Sequence, residues 1–154
     1  MRGDTSDWED RVFFLDLIRE RGAPVLDVGC GTGRLLLDYL SSGLDVDGVD
    51  NSPEMLALCR SKAAAMGLIE RLHVYEQQME RLKLRRRYRT IMLPSSSFQL
   101  VLDPALAVQT MRRFFAHLEP GGTLAMPFLV MAEAYEEHWT KEAWVFTTGA
   151  RRPA

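Results

Sequence analysis

The chain has 154 residues and a mass of 17.5 kDa, the size of one domain with no room for a second. Hydrophobic residues make up 47% and charged residues 26%, a globular balance that excludes a disordered chain. With 19 basic against 21 acidic residues the net charge is −2, and the basic excess that phosphate contacts need is missing, which argues against a nucleic-acid or anionic-membrane binder.

Two cysteines, Cys30 and Cys59, stand in no CxxC frame, too few for a disulfide scaffold or a cysteine zinc site. No histidine pair has metal-ligand spacing, so no metal is expected. The first ten residues are rich in acids and lack an apolar run, unlike a signal or transit peptide. No stretch approaches the roughly 18 apolar residues of a membrane span. These features predict one domain over 1–154, soluble and cytoplasmic, in a reducing compartment.

In chain order, Ser6 and Glu9 read as a capping box. After it Trp8, Val12, Leu15 and Ile18 recur at helical spacing, with Glu9, Asp10, Asp16, Arg19 and Glu20 on the other face. Gly22 and Pro24 end that helix. The apolar run 25–28 predicts a first strand, closed by the turn Gly29-Cys30-Gly31-Thr32-Gly33. A helix over 34–40 and a strand over 44–50 follow. Ser52, Pro53 and Glu54 are a helix start: a side-chain cap, a preset φ and an acid at the positive end. That helix carries Met55, Leu56, Cys59 and Ala63 to Gly67, a left-handed cap. Strands are predicted over 72–75 and 88–93, the latter ended by Pro94 and three serines. Asp103 and Pro104 open a helix bearing Leu106, Met111, Phe114, Phe115 and Leu118, and Pro120-Gly121-Gly122 turns into a strand over 123–130. Short apolar runs alternating with amphipathic helices predict a doubly wound α/β fold, a mostly parallel sheet with helices on both faces.

A glycine turn between a first strand and a helix lets backbone approach a ligand and presents free N–H groups. A nicotinamide or flavin fingerprint is G-x-G-x-x-G. Here the order is G-x-G-x-G (Gly29, Gly31, Gly33), and Arg34 stands where the third glycine of that fingerprint would allow close helix–strand packing. A nicotinamide oxidoreductase is therefore disfavoured. A Walker loop is excluded, because no Gly-Lys-Ser/Thr follows.

Three segments carry a resemblance: Leu26-Asp27-Val28-Gly29-Cys30-Gly31-Thr32-Gly33, Val49-Asp50-Asn51-Ser52-Pro53-Glu54-Met55-Leu56, and His117-Leu118-Glu119-Pro120-Gly121-Gly122-Thr123-Leu124. In this order the chain resembles the class I S-adenosylmethionine-dependent methyltransferases over about residues 8–130. It looks nearest to the small-molecule branch with the sugar-amine and glycine N-methyltransferases. The resemblance implies a Rossmann-like sheet in the order 3-2-1-4-5 and S-adenosyl-L-methionine as cofactor. It implies methyl transfer to nitrogen or oxygen of a small-molecule acceptor; the alternative is a weak or inactive cofactor-fold domain acting as a partner subunit.

The residues agree with this reading. Asp50 lies 21 positions after Gly29, where an acid ending the second strand meets a ribose bound at the first loop. The competing role, a cap for the next helix, already falls to Ser52. Asp27 either bonds loop amides or, by resemblance, also holds the methionine amino group. The family site further implies Gly29, Cys30, Gly31, Asn51 and Met55 as cofactor contacts. Past the third strand the family usually places an acid against the adenine amino group. Here that position is Gln78, which can accept and donate, beside the soft apolar Met79. The bland reading of Gln77 and Gln78 is a solvated loop. Pro94 and Ser95 end the fourth strand beside the expected sulfonium, and the residues through Gln99 either orient the acceptor or form an ordinary polar loop. No catalytic base is assigned, since an amine needs little beyond a lone pair aimed along the carbon–sulfur axis.

Of the histidines, His73 reads as a strand-edge residue, His117 suits a negative helix end, and His138 follows the fifth strand where such families place lid or base residues. Cys30 sits at a helix start that can acidify a thiol, but reads as a residue that fits the turn. The basic run Arg81, Lys83, Arg85, Arg86, Arg87 and Arg89 reads as a solvated connection, since Tyr88 is its only aromatic. Finally, the family's C-terminal strands look missing or incomplete. Strand propensity over 143–148 and a bare fifth-strand edge predict a homodimer joined through residues 139–148; the alternative is a truncated domain with a frayed tail, weakened cofactor binding and little activity.

Overall fold

The computed structural model describes residues 5–94, 103–131 and 139–147, with side chains described for 10–94 and 103–126. Strands β1 (Val25–Val28), β2 (Val46–Asp50), β3 (Val74–Glu76), β4 (Tyr88–Met92), β5 (Leu118–Met131) and β6 (Trp139–Thr147) form one sheet in the order β3-β2-β1-β4-β5-β6. The first five are mutually parallel, as predicted, and β6 is antiparallel to β5.

Helices α1 (Thr5–Arg21), α2 (Arg34–Ser41) and α3 (Pro53–Ala65) cover one face, and α4 (Pro104–Ala116) the other. Side chains alternate across a strand, so each central strand feeds two cores. Val25 packs with Phe14, Ile18, Leu36 and Cys59, whereas Leu26 and Val28 pack with Ile91, Phe114 and Leu124. All four β1 residues are buried, as expected for a strand sandwiched between two helical layers.

Several sequence expectations shift. Backbone is already helical at Thr5, so Ser6 lies inside α1 and is not its cap. Val12 is 37% exposed, and the buried stripe is Phe14, Leu17 and Ile18. Apolar residues at 12–15, 17 and 18 offer more than one stripe, and contact with the sheet chose between them. The α3 start is as predicted: Ser52 Oγ accepts from Met55 N at 3.3 Å, with Pro53 in the first turn. Asp103 caps α4 by accepting from Ala105 N at 2.8 Å. Its buried residues are Thr110 and Phe114, while Leu106 and Phe115 stay 39% and 38% exposed and Leu118 belongs to β5.

The basic run is not merely solvated. Arg86 pairs with Asp45 and, at 3.2 Å, with buried Asp47, which also accepts from Tyr88 OH at 2.8 Å. Arg89 donates to Pro120 O at 3.0 Å, holding the bulge that lets Tyr88 pair with Leu118 and Thr90 with Thr123. His117 ties the end of α4 to the loop before β4. Its Nε2 accepts from Leu84 N at 2.9 Å, which leaves Nδ1 to donate to Arg113 O at 2.6 Å. His73 is exposed, and its carbonyl accepts from Gly48 N at the β2 edge.

The largest departure is β6. Residues 139–147 pair with residues 123–131 of their own chain in unbroken register, Thr123 opposite Thr147 and Met131 opposite Trp139. The bare β5 edge that called for a second copy is thus filled from within, by an antiparallel strand of the same chain. His138 lies outside the described residues. Deleting residues 139–154 uncovers the β5 edge, so the truncated protein is expected to scatter light with a larger apparent mass than the full chain at equal micromolar concentration. An equal or smaller mass would overturn the intramolecular pairing.

Candidate functional site

The site lies where β1, β2 and β4 end. β1 passes into a turn that cannot stray from β2, because Gly29 N and Cys30 N both donate to Val49 O, at 2.8 and 3.1 Å. Asp50 fastens it further. Its Oδ2 accepts from Gly31 N and its Oδ1 from Ser52 N, both at 2.9 Å, so one carboxylate joins the glycine turn to the start of α3. Each carboxylate oxygen carries a second acceptor position, which leaves capacity toward a ligand.

Two glycines serve different ends. Gly31 has φ +56° and an added Cβ would meet nothing within 4 Å, so the backbone there faces open space. Gly33 has φ +88°, and a Cβ would lie 2.7 Å from Cys59 Sγ and 2.9 Å from Leu37 Cγ. The close approach is therefore made at Gly33, between the start of α2 and α3, and Arg34, the next residue, has a side chain that is 45% exposed. Gly48 on β2 has no room either, with Cys30 Sγ 2.8 Å from a built Cβ.

The open space is a cavity of about 450 Å³, within the range of small-ligand sites. Asp27, Gly29, Cys30, Gly31, Met55 and Pro94 line it, all of them predicted, together with Asp10, Thr32, Arg34 and Leu35, which sequence reasoning did not assign. Asp10 gave no signal on a polar helix face. Arg34 gave one, an arginine where helices favour acids. Asp50 stands behind the turn. Asn51, Gln78 and Met79 are not on this lining: Asn51 and Gln78 are exposed, and half-buried Met79 packs on the second core. Gln77 is not a solvated loop residue, since its amide exchanges bonds with both Lys83 N and Lys83 O, at 2.8 and 3.0 Å. Ser95 and the acceptor loop through Gln99 lie outside the described residues.

Asp27 is 2% exposed and its Oδ1 has no hydrogen-bond partner. Burial, opposed by Arg34 and reinforced by Asp50, pushes its carboxyl up to about 8. An unpartnered buried acid is costly, and the cavity beside it is where a cationic partner would offset that cost. Cys30 is held protonated, first by burial and then by the charge of Asp27, so its thiol is not activated by the helix start. Among the described residues no cluster has the side chains to hold a metal, and no helix is long and apolar enough to cross a membrane.

A family model described as a methyltransferase domain matches residues 25–122. The glycine/sarcosine N-methyltransferase of Halorhodospira halochloris is 30% identical over 129 residues, 80% of this chain and 48% of that protein. A ribosomal protein L11 methyltransferase of Xylella fastidiosa is 34% identical over 129 residues, 83% of this chain and 39% of that one. The CcbJ methyltransferase of Streptomyces caelestis superimposes with a TM-score of 0.72 at 29% identity, covering 82% of this chain and 54% of that chain. The glycopeptide N-methyltransferase MtfA, which shares the fold, is solved with S-adenosyl-L-methionine and with S-adenosyl-L-homocysteine bound. The chain spans less than half the length of the curated relatives named here.

Burial of Asp27 has a measurable consequence. An exposed aspartate loses its proton near its ordinary value of 3.8, whereas Asp27 in the folded chain keeps it to about 8. Between those values the folded state holds one proton more than the unfolded state, so this group lowers stability as pH rises from about 4 to about 8. Asp27→Asn removes that slope. The ligand-free variant is expected to melt higher than its parent at pH 8, with the difference shrinking toward pH 5, as read by thermal denaturation. Parallel pH profiles would contradict it.

Proposed function

This chain belongs to the S-adenosylmethionine-dependent methyltransferases, and from that premise we propose that it transfers a methyl group to nitrogen or oxygen of a small-molecule acceptor. The observation that carries the reading is the cavity at the ends of β1 and β4, open over Gly31 and lined by Asp27, whose buried Oδ1 has no hydrogen-bond partner. These residues fit S-adenosyl-L-methionine: an open backbone cradle, a buried acid for an ammonium group, and a carboxylate ending β2. When bound, the cofactor supplies a methyl group on a cationic sulfur for in-line displacement.

The residues of the chain divide the work. Asp27 takes the ammonium of the cofactor's amino-acid end and is drawn into its ionised form by that positive charge. Backbone at Gly29, Cys30 and Gly31 lies against the cofactor, which only residues without a bulky side chain at Gly31 permit. Asp50 accepts from the ribose hydroxyls with the positions left after Gly31 N and Ser52 N are bonded. Asn51 and Met55 border the same end of β2, and Gln78 and Met79 complete the adenine side. Pro94 closes the cavity at the end of β4, and Ser95 with the residues through Gln99 aims the acceptor. Rate enhancement comes chiefly from holding the acceptor in line, worth up to roughly 7–11 kcal/mol for well-oriented reactants. The glycine/sarcosine relative supports an amine acceptor.

A cytoplasmic location is supported by two cysteines that are both buried and unpaired. A homodimer, proposed for the 139–148 segment, would now run along the outer side of β6, since the inner side is taken by β5.

Titration calorimetry tests the reading. S-adenosyl-L-homocysteine is expected to bind at micromolar concentration and NAD to give no heat. Asp50→Ala should weaken cofactor binding at least tenfold, and an unchanged dissociation constant would remove Asp50 from the site. Turnover against a panel of amines and phenols then separates an enzyme from a partner subunit that binds cofactor without catalysis.

A further inference from the structure

We propose that the face made by α4 and the connection before β4 rests on an anionic phospholipid surface, a peripheral contact outside the cofactor cavity and independent of the cofactor reading. Burial alternates along that connection. Leu82 and Tyr88 are fully buried in the second core and Leu84 packs against it, whereas Arg81, Lys83, Arg85 and Arg87 are exposed. Alternate residues of an extended chain point to opposite sides, so the inward apolar set turns four cations to solvent. Arg86 is instead taken up by Asp45 and Asp47.

Hydrogen bonds lay this segment along α4. Gln109 Nε2 donates to Glu80 O at 2.8 Å, Leu84 N to His117 Nε2 at 2.9 Å, and Tyr88 N to His117 O at 2.8 Å. Gln109, Arg113 and His117 recur every fourth residue on that flank of the helix, so Arg113, with Arg112 beside it, joins the row of cations. Both arginines are exposed, and among the described residues none of these six basic side chains has a hydrogen-bond or ion-pair partner. The acids nearby are Glu80 within the connection, Asp103 at the start of α4 and Glu119 just past its end. The outer side of α4 adds exposed Leu106, Val108 and Phe115, with Arg112 between the last two at helical spacing.

Cations beside protruding apolar side chains match the boundary between lipid headgroups and acyl chains. Lysine and arginine stems lie along hydrocarbon while their heads stay at the phosphates. A single-stranded nucleic acid requires stacking aromatics, and Phe115 is the one exposed aromatic of α4 and the connection. A protein partner is anchored by side chains seated in pockets, whereas this face is the outside of a helix and of an extended segment. The net charge of −2 does not oppose the contact, because screening limits the reach of each charge to about 8–10 Å. The cofactor cavity is lined by no residue of α4 or of the connection, so it stays open when this face is covered.

Cosedimentation of the full chain with unilamellar vesicles tests the proposal. At about 0.15 M salt the parent is expected to bind vesicles of phosphatidylcholine containing one third phosphatidylglycerol and to stay off pure phosphatidylcholine. Arg85→Glu with Arg87→Glu, and separately Arg112→Glu with Arg113→Glu, should each weaken binding at least tenfold. Phe115→Ser should weaken it several-fold, and Arg60→Glu on α3, in the opposite layer, should leave it unchanged. Melting temperatures within a few degrees of the parent show which variants are folded, and each charge-reversed pair tests the face by itself if the other does not fold. Absence of parent binding to the anionic vesicles overturns the proposal, as does binding that survives charge reversal or that Arg60→Glu weakens equally. An unchanged affinity in Phe115→Ser also overturns it, marking a purely ionic contact. Tighter binding to an oligouridylate or to polyglutamate than to the vesicles at the same salt overturns it in favour of a nucleic acid or an acidic protein.

Discussion

Everything at this site depends on how tightly the turn after β1 is held to β2. Two amides of the turn share one carbonyl, Val49 O, and a third donates to the Asp50 carboxylate. Gly48 and Gly33 leave no space for a Cβ on either side of that contact. The backbone is therefore fixed before any ligand binds, and the open face at Gly31 is preformed. Preorganisation of this kind means that binding does not have to order a loop first. A parallel sheet covered on both faces supplies the rigidity.

That rigidity is set against one destabilising element. Asp27 follows Leu26 on β1, and the pleat that sends Leu26 and Val28 into one core turns Asp27 toward the layer of α1, α2 and α3. The carboxyl is buried because α1 and α2 close over that layer, and Oδ1 is left without a donor. A fold selected for stability alone would place an apolar residue there. In the function proposed above Asp27 is a binding group whose partner is brought by the ligand, and the cost is carried by a core that includes Phe14, Ile18, Leu36, Tyr39 and Met92. Asp47, one strand over, also has a buried Oδ1 without a partner, but its Oδ2 is met by Tyr88 and Arg86 from the same chain.

Residues fixed by local chemistry were legible in the sequence. The caps Ser52 and Asp103 act as read, and Gly67 takes its left-handed φ of +72°. The turn at 29–33 ends the first strand, and six of the expected contacts line one cavity. Choices made by packing were not legible. Apolar residues crowd α1 and α4 on more than one stripe, so Val12, Leu106 and Phe115 went to the surface when contact with the sheet selected Phe14 and Phe114. The basic run 81–89 gave no sign that Arg86 and Arg89 would each hold a separate piece of backbone or carboxylate in place.

The sequence by itself determined the fold class, the glycine turn, the acid at the end of β2 and the likeness to a methyl-transferring family, because each depends on residues near one another in the chain or on spacing that a βαβ unit makes regular. Only the tertiary structure decided that Asp10 and Arg34 stand on the cavity, that Gln77 closes its own loop, and that residues 139–147 return to β5 of the same chain. Those outcomes join segments distant in sequence. Whether an edge strand pairs within a chain or between chains is not encoded in the strand, since either partner satisfies the same backbone groups. The register with β5 settles it through geometry that no single segment carries.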